Sequence, residues 1–382
     1  MISIPFFTIL ILTVILYWLI PRQSIRNILL ILSSLTFIYL LDRWSVLVVV
    51  GLSLLSFGFG HLISKHPKKS WIHTMGVILV LGVLIAFKYL GFLNGIYNSM
   101  AGFILALPRF EIKALLLPLG ISYIVFKHIS YLTDIRWGLV KPGRFLDFLL
   151  YSCLFTIFVA GPIERWERLK PQIEVSRIQF SWSYIDHGFG RIVLGMFKKL
   201  VIADWLGYLI NPVWNEPHQY SAGIGLLALL GYSFQIYYDF SGYSDVAIGS
   251  SKLLGVKIME NFNNPYLAQN ISQFWRRWHI SLSDWIRDYL FFPLSRLSSK
   301  SIWTVFFVPI IAMSLCGLWH GPTWHFIVWG AWHGLGLFVL QLWNETKRSH
   351  RTLAKATKAN GFYYTGIAMN FSFVSVGWWL FR

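Results

Sequence analysis

Residues 75–96, "MGVILVLGVLIAFKYLGFLNGI", form one long apolar run. A helix needs roughly 20 such residues to cross the hydrocarbon core of a bilayer. Two similar runs lie at 4–20 and 44–63. Further apolar segments lie at 27–41, 114–132, 146–162, 189–211, 222–238, 302–318, 324–343 and 362–381. The pattern predicts an all-α polytopic integral membrane protein with roughly ten to twelve membrane-embedded helices, together with re-entrant or interfacial helices.

The composition of the 382 residues agrees with this class, because 56% are hydrophobic and only 13% are charged. A soluble domain carries about 25% charged residues. The net charge of +17 would also suit a nucleic-acid-binding protein. However, the cations lie in short loops between apolar runs, as at 65–69 and 136–144, which is the positive-inside pattern. We therefore expect membrane lipids as partners, no nucleic acid, and a cytoplasmic location for these loops and for the basic segment 344–360.

We find no internal repeat, flexible linker or low-complexity tract in the sequence. The simplest organisation is a single membrane domain over residues 1–382. Within it, 1–132 are predicted to be N-terminal scaffold helices and 133–343 a catalytic core that carries the motifs. Residues 344–382 are predicted to form a basic loop and a C-terminal helix.

The densest polar and aromatic stretch is "NFNNPYLAQNISQFWRRWHISLSDWIRDYLFFPL", residues 261–294. Its asparagines and Pro265 predict a turn, followed by a helix from about Ser272. On that helix His279 would share a face with Arg276, Ser283 and Arg287. The stretch is compatible with an interfacial helix, or with a helix whose arginines hold an anionic ligand in a cavity. The candidate ligand-binding residues are Asn264, Arg276, Arg277, Asp284 and Arg287.

A second polar stretch, "YYDFSGYSDVAIGSSKLLGV", spans residues 237–256. It places Asp239 and Asp245 just beyond a predicted apolar helix. An ionised carboxylate at membrane depth is costly, so we expect each to face a cavity or a cation. The arginines at 276–287 are candidate partners. A structural ion pair and a role of Asp239 in substrate binding are equally compatible with the pattern.

The stretch "GLWHGPTWHFIVWGAWHG", residues 317–334, carries His320, His325 and His333 in apolar surroundings. On a single helix His320 and His325 would lie about 140° apart, so no metal site is predicted. His325 and His333 are interpreted as hydrogen-bonded structural residues. His320 differs because a Gly-Pro pair follows it, and irregular backbone at membrane depth occurs beside a cavity. A neutral imidazole there could deprotonate a hydroxyl group.

The stretch "FWRRWHISLSDWIRDYLFFPL", followed further along the chain by "GLWHGPTWHFIVWGAWHG", resembles the membrane-bound O-acyltransferase (MBOAT) family. The segments "PLGISYIVFKHISYLTDI", "AGPIERW", "YYDFSGYSDVAIGSSKLLGV" and "ENFNNPYL" match the same family in order. The resemblance covers roughly residues 75–382. It is strongest to the bacterial branch that O-acetylates alginate or transfers D-alanine to teichoic acid.

The resemblance implies a funnel of helices around a tunnel across the bacterial cell membrane. An acyl thioester, on coenzyme A or on the phosphopantetheine of an acyl carrier protein, would come from the cytoplasm, with no tightly bound cofactor and no metal. The acceptor hydroxyl would belong to an envelope polysaccharide or to an extracytoplasmic partner acyltransferase. His320 corresponds to the family's general base or proton relay, and His279 to a second catalytic histidine. We expect Trp319, beside His320, to contact the substrate.

The identity of the acyl group stays open between two choices. The early C-terminal end and "GPIERW" resemble the D-alanyl branch, whereas "DFSGYSDVAIG", "ENFNNPYL" and "RRWHISLSDWIRDYL" are closer to the acetylating branch. We expect acetyl, with D-alanyl as the alternative. A D-alanyl group carries an ammonium, so an acidic side chain near the tunnel would favour it. Two rival functions are a transporter, which predicts internal repeats, and a non-catalytic scaffold, which predicts no effect from replacing His320.

Overall fold

The computed structural model describes residues 3–103, 115–296, 302–350 and 360–382. These residues form helices and turns, with no strand among them. The all-α class is therefore confirmed. Residues 351–359 of the predicted basic loop lie outside the described residues. The helices that are long and apolar enough to cross a membrane are Gln23–Leu41, Arg43–Lys65, Ser70–Gly102 and Trp324–Ser349.

These four candidate spans support a membrane protein, and the larger number of roughly ten to twelve embedded helices stays a prediction. The chain divides into two compact units. The first comprises residues 1–192 and 247–259, and the second comprises residues 193–246 and 260–382. The predicted division into scaffold, core and C-terminal segment stays a prediction.

The helices of the N-terminal half are named here in chain order. They are α1 (Ile4–Leu19), α2 (Gln23–Leu41), α3 (Arg43–Lys65), α4 (Ser70–Leu84), α5 (Leu90–Phe103), α6 (Ile121–Arg136), α7 (Phe145–Cys153) and α8 (Trp166–Ile173). The helices of the C-terminal half follow in the same way. They are α9 (Trp182–Met196), α10 (Asp204–Asn215), α11 (Ala222–Leu253), α12 (Ile271–Trp275), α13 (Ile280–Ile286), α14 (Phe292–Arg296), α15 (Ile302–His320), α16 (Trp324–Ser349) and α17 (Asn360–Phe381).

The first unit is tied together by buried polar groups on α6. The two ring nitrogens of His128 lie 3.0 Å from the Ser56 hydroxyl and 2.8 Å from the Ser152 hydroxyl. Beside it, the buried ammonium of Lys127 donates to the Tyr151 carbonyl at 2.5 Å. A buried polar group is tolerated when it has such partners. These contacts join α3, α6 and α7.

The second unit is built around α15 and α16, which three residues connect into a hairpin. Two glycines allow their backbones to touch. A Cβ atom on Gly330 would overlap the Met313 carbonyl oxygen, and one on Gly317 would overlap the Phe326 carbonyl oxygen. Helices approach this closely in membranes where small residues line the contact. The histidine-rich stretch 317–334 is therefore divided between two helices, and the angular spacing expected for a single helix does not apply.

Helix α11 continues without interruption through Asp239 and Asp245. The expectation that these residues lie beyond the end of an apolar helix is wrong. Lys199 Nζ lies 2.6 Å from Asp239 Oδ1, and Lys198 Nζ lies 2.6 Å from Asp245 Oδ2. Carboxylates in the middle of an apolar helix need cations from a neighbouring element, and these lysines provide them from a π-helical turn after α9. The predicted pairing of Asp239 with the arginines at 276–287 is also wrong.

An alanine at Gly330 is expected to destabilise the second unit by about 1–3 kcal/mol, because its methyl group would overlap the Met313 carbonyl. Thermal unfolding of the full chain in detergent micelles measures this. The matched control is Gly225→Ala in α11, where a Cβ atom would meet nothing within 4 Å. Equal unfolding temperatures for the two variants would contradict the close contact.

Candidate active site

His279 interrupts the helix that the sequence predicts from Ser272 onward. Helix α12 ends at Trp275 and α13 begins at Ile280, with His279 between them at φ 43°. This left-handed conformation costs a non-glycine residue about 1–2 kcal/mol. The predicted single face shared by His279 with Arg276, Ser283 and Arg287 is therefore wrong.

Asn261 stabilises the unusual backbone at His279. Its carbonyl oxygen accepts a hydrogen bond from the Ile280 N–H at 3.0 Å. Its side-chain oxygen accepts from the Ser281 N–H at 3.2 Å and from the Ser281 hydroxyl at 2.9 Å, while its amide nitrogen donates to Ser244 at 3.2 Å. Asn261 is fully buried, so these bonds are protected from competition with water. They hold the two residues that follow His279 and so stabilise the left-handed backbone at this position.

The predicted catalytic histidines lie in one aromatic cluster. The ring of His279 is buried, 4.7 Å from the Phe240 ring and 6.2 Å from the Trp319 ring, measured between centroids. The Trp319 ring lies 4.9 Å from the half-buried ring of His320. Trp319 thus contacts both histidines. The structure brings together three of the residues predicted from sequence.

His333 joins the same cluster from α16. The Trp329 ring lies 5.1 Å from the ring of His320 and 5.0 Å from that of His333. His333 is fully buried, and neither of its ring nitrogens has a hydrogen-bond partner in the described part of the chain. The expectation that His333 is a hydrogen-bonded structural residue is therefore wrong. Leaving a buried polar group unpaired costs about 1–3 kcal/mol, so His333 is a further candidate for contact with a ligand. His325 is exposed.

A cavity of about 370 Å³ lies beside this cluster, within the second unit. On α15 it is lined by Pro309, Ala312, Met313 and Cys316. Steps of three and four residues connect Pro309 to Cys316 through either Ala312 or Met313. Such steps place the residues in one row on the helix face. His320 continues this row one turn beyond Cys316. The row therefore leads from the cavity towards His320.

The facing wall on α16 has the same spacing. Its lining residues are Leu337, Leu340, Gln341 and Asn344. His333 lies one turn before Leu337 and therefore continues the α16 row. His320 continues the α15 row at the same end of the cavity. We call this the inner end. Gln341 and Asn344 mark the opposite, polar end.

Three charged residues predicted from sequence line the cavity, namely Arg276, Asp284 and Arg287. Arg287 forms ion pairs with Asp284 at 2.6 Å and with Asp288 at 2.8 Å. Arg276 is exposed and forms no ion pair with any described residue. Its guanidinium is therefore available to bind an anion.

The remaining candidates do not line the cavity. The Arg277 carbonyl accepts a hydrogen bond from the Asn263 N–H at 2.9 Å. Asn264 is exposed at φ 44°, just before the short 3₁₀ helix at Pro265, which confirms the predicted turn. Asp239 is paired with Lys199, as described above. These residues contribute to local structure rather than to the cavity.

Helices suited to a membrane and a histidine cluster beside a mainly apolar cavity define a membrane-embedded enzyme. The sequence matches the model of the membrane-bound O-acyltransferase family, MBOAT, over residues 99–376. Probable alginate O-acetylase AlgI of Pseudomonas putida is 35% identical over 371 residues, which are 94% of this chain and 72% of that protein. The chain therefore belongs to the MBOAT family and is an O-acyltransferase. The predicted family and enzyme class are confirmed.

Other relatives have different named activities. The peptidoglycan O-acetyltransferase of Helicobacter pylori is 32% identical over 342 residues, covering 82% of this chain and 62% of that protein. The teichoic acid D-alanyltransferase of Streptococcus thermophilus is 32% identical over 287 residues, covering 69% of this chain and 68% of that protein. Similar chains are thus named for two acyl groups and for more than one envelope polymer.

Replacing Asn261 by alanine is expected to destabilise the protein by about 1–3 kcal/mol and to lower acyl transfer, because Ser281 and Ser244 lose their hydrogen bonds to the Asn261 side chain beside His279. Thermal unfolding and the ester content of the cell envelope measure the two effects. Asn263→Ala is the matched control, since the Asn263 side chain is exposed and its contact with Arg277 is made by the backbone. If Asn261→Ala behaves like this control, Asn261 does not organise the site.

Proposed function

We propose that this chain transfers an acetyl group from a cytoplasmic phosphopantetheine thioester to a hydroxyl group on the outer side of the membrane. The donor is acetyl-CoA or an acyl carrier protein, and the acceptor is an envelope polysaccharide or a partner protein that acylates it. His320 acts as the general base. The observation that carries this proposal is the cavity whose inner end lies one helical turn from His320.

The polar end of the cavity suits a donor that comes from the cytoplasm. Asn344 lies in the last turns of α16, just before Lys347 and Arg348. By the positive-inside rule, this basic end of the helix faces the cytoplasm. The exposed guanidinium of Arg276, which lines the same cavity, can bind an anionic group of the donor. A pantetheine arm is a linear chain, so it fits a cavity that runs along two helices.

The proposed reaction is a single transfer step. His320 takes the proton of the acceptor hydroxyl, and the oxygen attacks the thioester carbon. The new C–O bond forms as the C–S bond breaks, and the thiolate leaves with the electron pair. The imidazolium of His320 then returns the proton to the thiolate, so no net charge is left in the site. The apolar walls exclude water and limit hydrolysis of the thioester.

Trp319 and His279 have supporting roles in this proposal. Trp319 packs between the two histidine rings and fixes their separation. His279 is the second histidine of the site, and we propose that it orients the acceptor hydroxyl towards His320. A general base works when it lies within hydrogen-bond reach of the proton that it removes. Correct placement of the hydroxyl is therefore as important as the base.

The lining of the cavity favours acetyl over D-alanyl. Among the described residues that line it, the one carboxylate is Asp284, which is already paired with Arg287 at 2.6 Å. The inner end is formed by apolar and thiol side chains, including Met313, Cys316 and Leu337. The methyl group of an acetyl ester needs no polar partner, whereas a desolvated ammonium does. D-alanyl transfer to teichoic acid or a related polymer is the alternative, supported by the D-alanyltransferase among the relatives.

His320→Gln is expected to lower the ester content of the cell envelope by about 100-fold or more, because glutamine cannot take a proton from the acceptor. Mild alkali releases the ester-linked acids, and chromatography separates acetate from D-alanine. Immunoblotting of membranes shows whether the variant accumulates normally.

The matched control is His325→Gln, which makes the same change at an exposed histidine of the same stretch. We expect acetate to be released from the wild type and from this control. Full esterification in His320→Gln would show that His320 is not the general base. It would favour the alternative that the chain is a non-catalytic scaffold. Release of D-alanine instead of acetate would overturn the choice of acyl group while leaving the role of His320 intact.

A further inference from the structure

We propose that Trp275 determines which acyl groups the enzyme accepts, because its indole ring closes the inner end of the cavity. An acetyl group fits against the ring, and longer acyl chains do not. This inference rests on the proposed role of the cavity as the donor site. It adds a residue that sets the length of the acyl chain.

The position of Trp275 carries the proposal. Trp275 lines the cavity, although only 8% of its surface is exposed. Behind its ring lie the rings of His333 at 5.2 Å and of Trp329 at 5.9 Å. Trp329 in turn contacts His320 at 5.1 Å. None of these three residues is among the described residues that line the cavity. The indole therefore forms the wall in front of His333 and Trp329, and the row through Cys316 leaves the way towards His320 open.

The chemistry places the acyl group at this indole. The thioester carbon must come within bonding distance of a hydroxyl oxygen that His320 contacts, so it must lie at the inner end of the cavity. The carbons that follow the carbonyl then lie beside Trp275 and Cys316, the last lining residue of α15 before His320. Protein interiors are close-packed, and an extra methylene group is accommodated only if a side chain moves. The methyl group of an acetyl ester needs less volume there than any longer acyl chain.

The indole is held by packing rather than by a hydrogen bond. Its N–H group is buried and has no hydrogen-bond partner in the part of the chain that the structure describes. Phe274, with a ring 5.7 Å away, completes the set of rings around it. A smaller apolar side chain at position 275 therefore removes volume without breaking a hydrogen bond. This property makes the residue suitable for a test by substitution.

The test measures the binding of S-alkyl derivatives of 4′-phosphopantetheine, which cannot transfer an acyl group. Isothermal titration calorimetry with the full chain in detergent micelles compares the S-ethyl, S-butyl and S-hexyl compounds. We expect the wild type to bind the S-hexyl compound at least about tenfold more weakly than the S-ethyl compound. In Trp275→Leu this preference should shrink by about tenfold or reverse, and Trp275→Phe should be intermediate.

The matched control is Leu340→Ala, which enlarges the same cavity about two helical turns along α16 from His333. It should change the affinity for all three compounds alike. Thermal unfolding shows whether each variant is folded. If Trp275→Leu does not fold, the chain-length preference of Trp275→Phe alone tests the role of Trp275. An unchanged chain-length preference in the folded Trp275 variants would show that Trp275 does not select the length of the acyl chain. The proposal that the cavity binds the donor would be unaffected. Failure of the wild type to bind the S-ethyl compound would instead overturn the donor site and the proposed function with it.

Discussion

The close contact between α15 and α16 is the constraint on which the second unit depends. At Gly317 and Gly330 the two backbones lie so near each other that a single methyl group would overlap a carbonyl oxygen. Where lipid replaces water, apolar side chains gain little by leaving the solvent, and helices associate through such close packing. The contact places His320 at the end of one helix and His333 within the other, at the same end of one cavity. The glycines of this stretch thus matter for the site as much as its histidines do.

The site also contains two local arrangements that are unfavourable by themselves. His279 adopts a left-handed backbone that a histidine rarely takes, and His333 is buried without hydrogen-bond partners among the described residues. Strain and unpaired polar groups of this kind concentrate at functional sites, where the surrounding structure compensates for them. For His279 the compensation comes from the buried hydrogen bonds of Asn261, whereas the two nitrogens of His333 stay unpaired among packed rings. Both features lie within the region where acyl transfer is proposed.

Much of this could be predicted from the sequence, because some signals are local. The apolar runs predict the membrane class, the turn at Asn264 follows from its neighbouring proline, and the Gly-Pro pair after His320 predicts a helix end. The remaining features depend on contacts between distant residues. The break at His279 requires Asn261, the lysine partner of Asp239 comes from another helix, and the approach of His333 to the cluster requires the hairpin. The glycines within 317–334 were the sequence signal for this hairpin, and their spacing alone did not reveal the partner atoms.

The most direct test of the donor cavity uses the two cysteines of the chain. Both cysteines are buried, but Cys316 lines the cavity and is reached through it, whereas Cys153 lies in α7 of the first unit. In a Cys153→Ser variant, mass spectrometry follows the modification of Cys316 by methyl methanethiosulfonate. We predict that S-ethyl 4′-phosphopantetheine slows this modification and that inorganic phosphate at the same concentration does not. An unchanged rate with the pantetheine compound, at a concentration that inhibits acyl transfer, would contradict donor binding between α15 and α16.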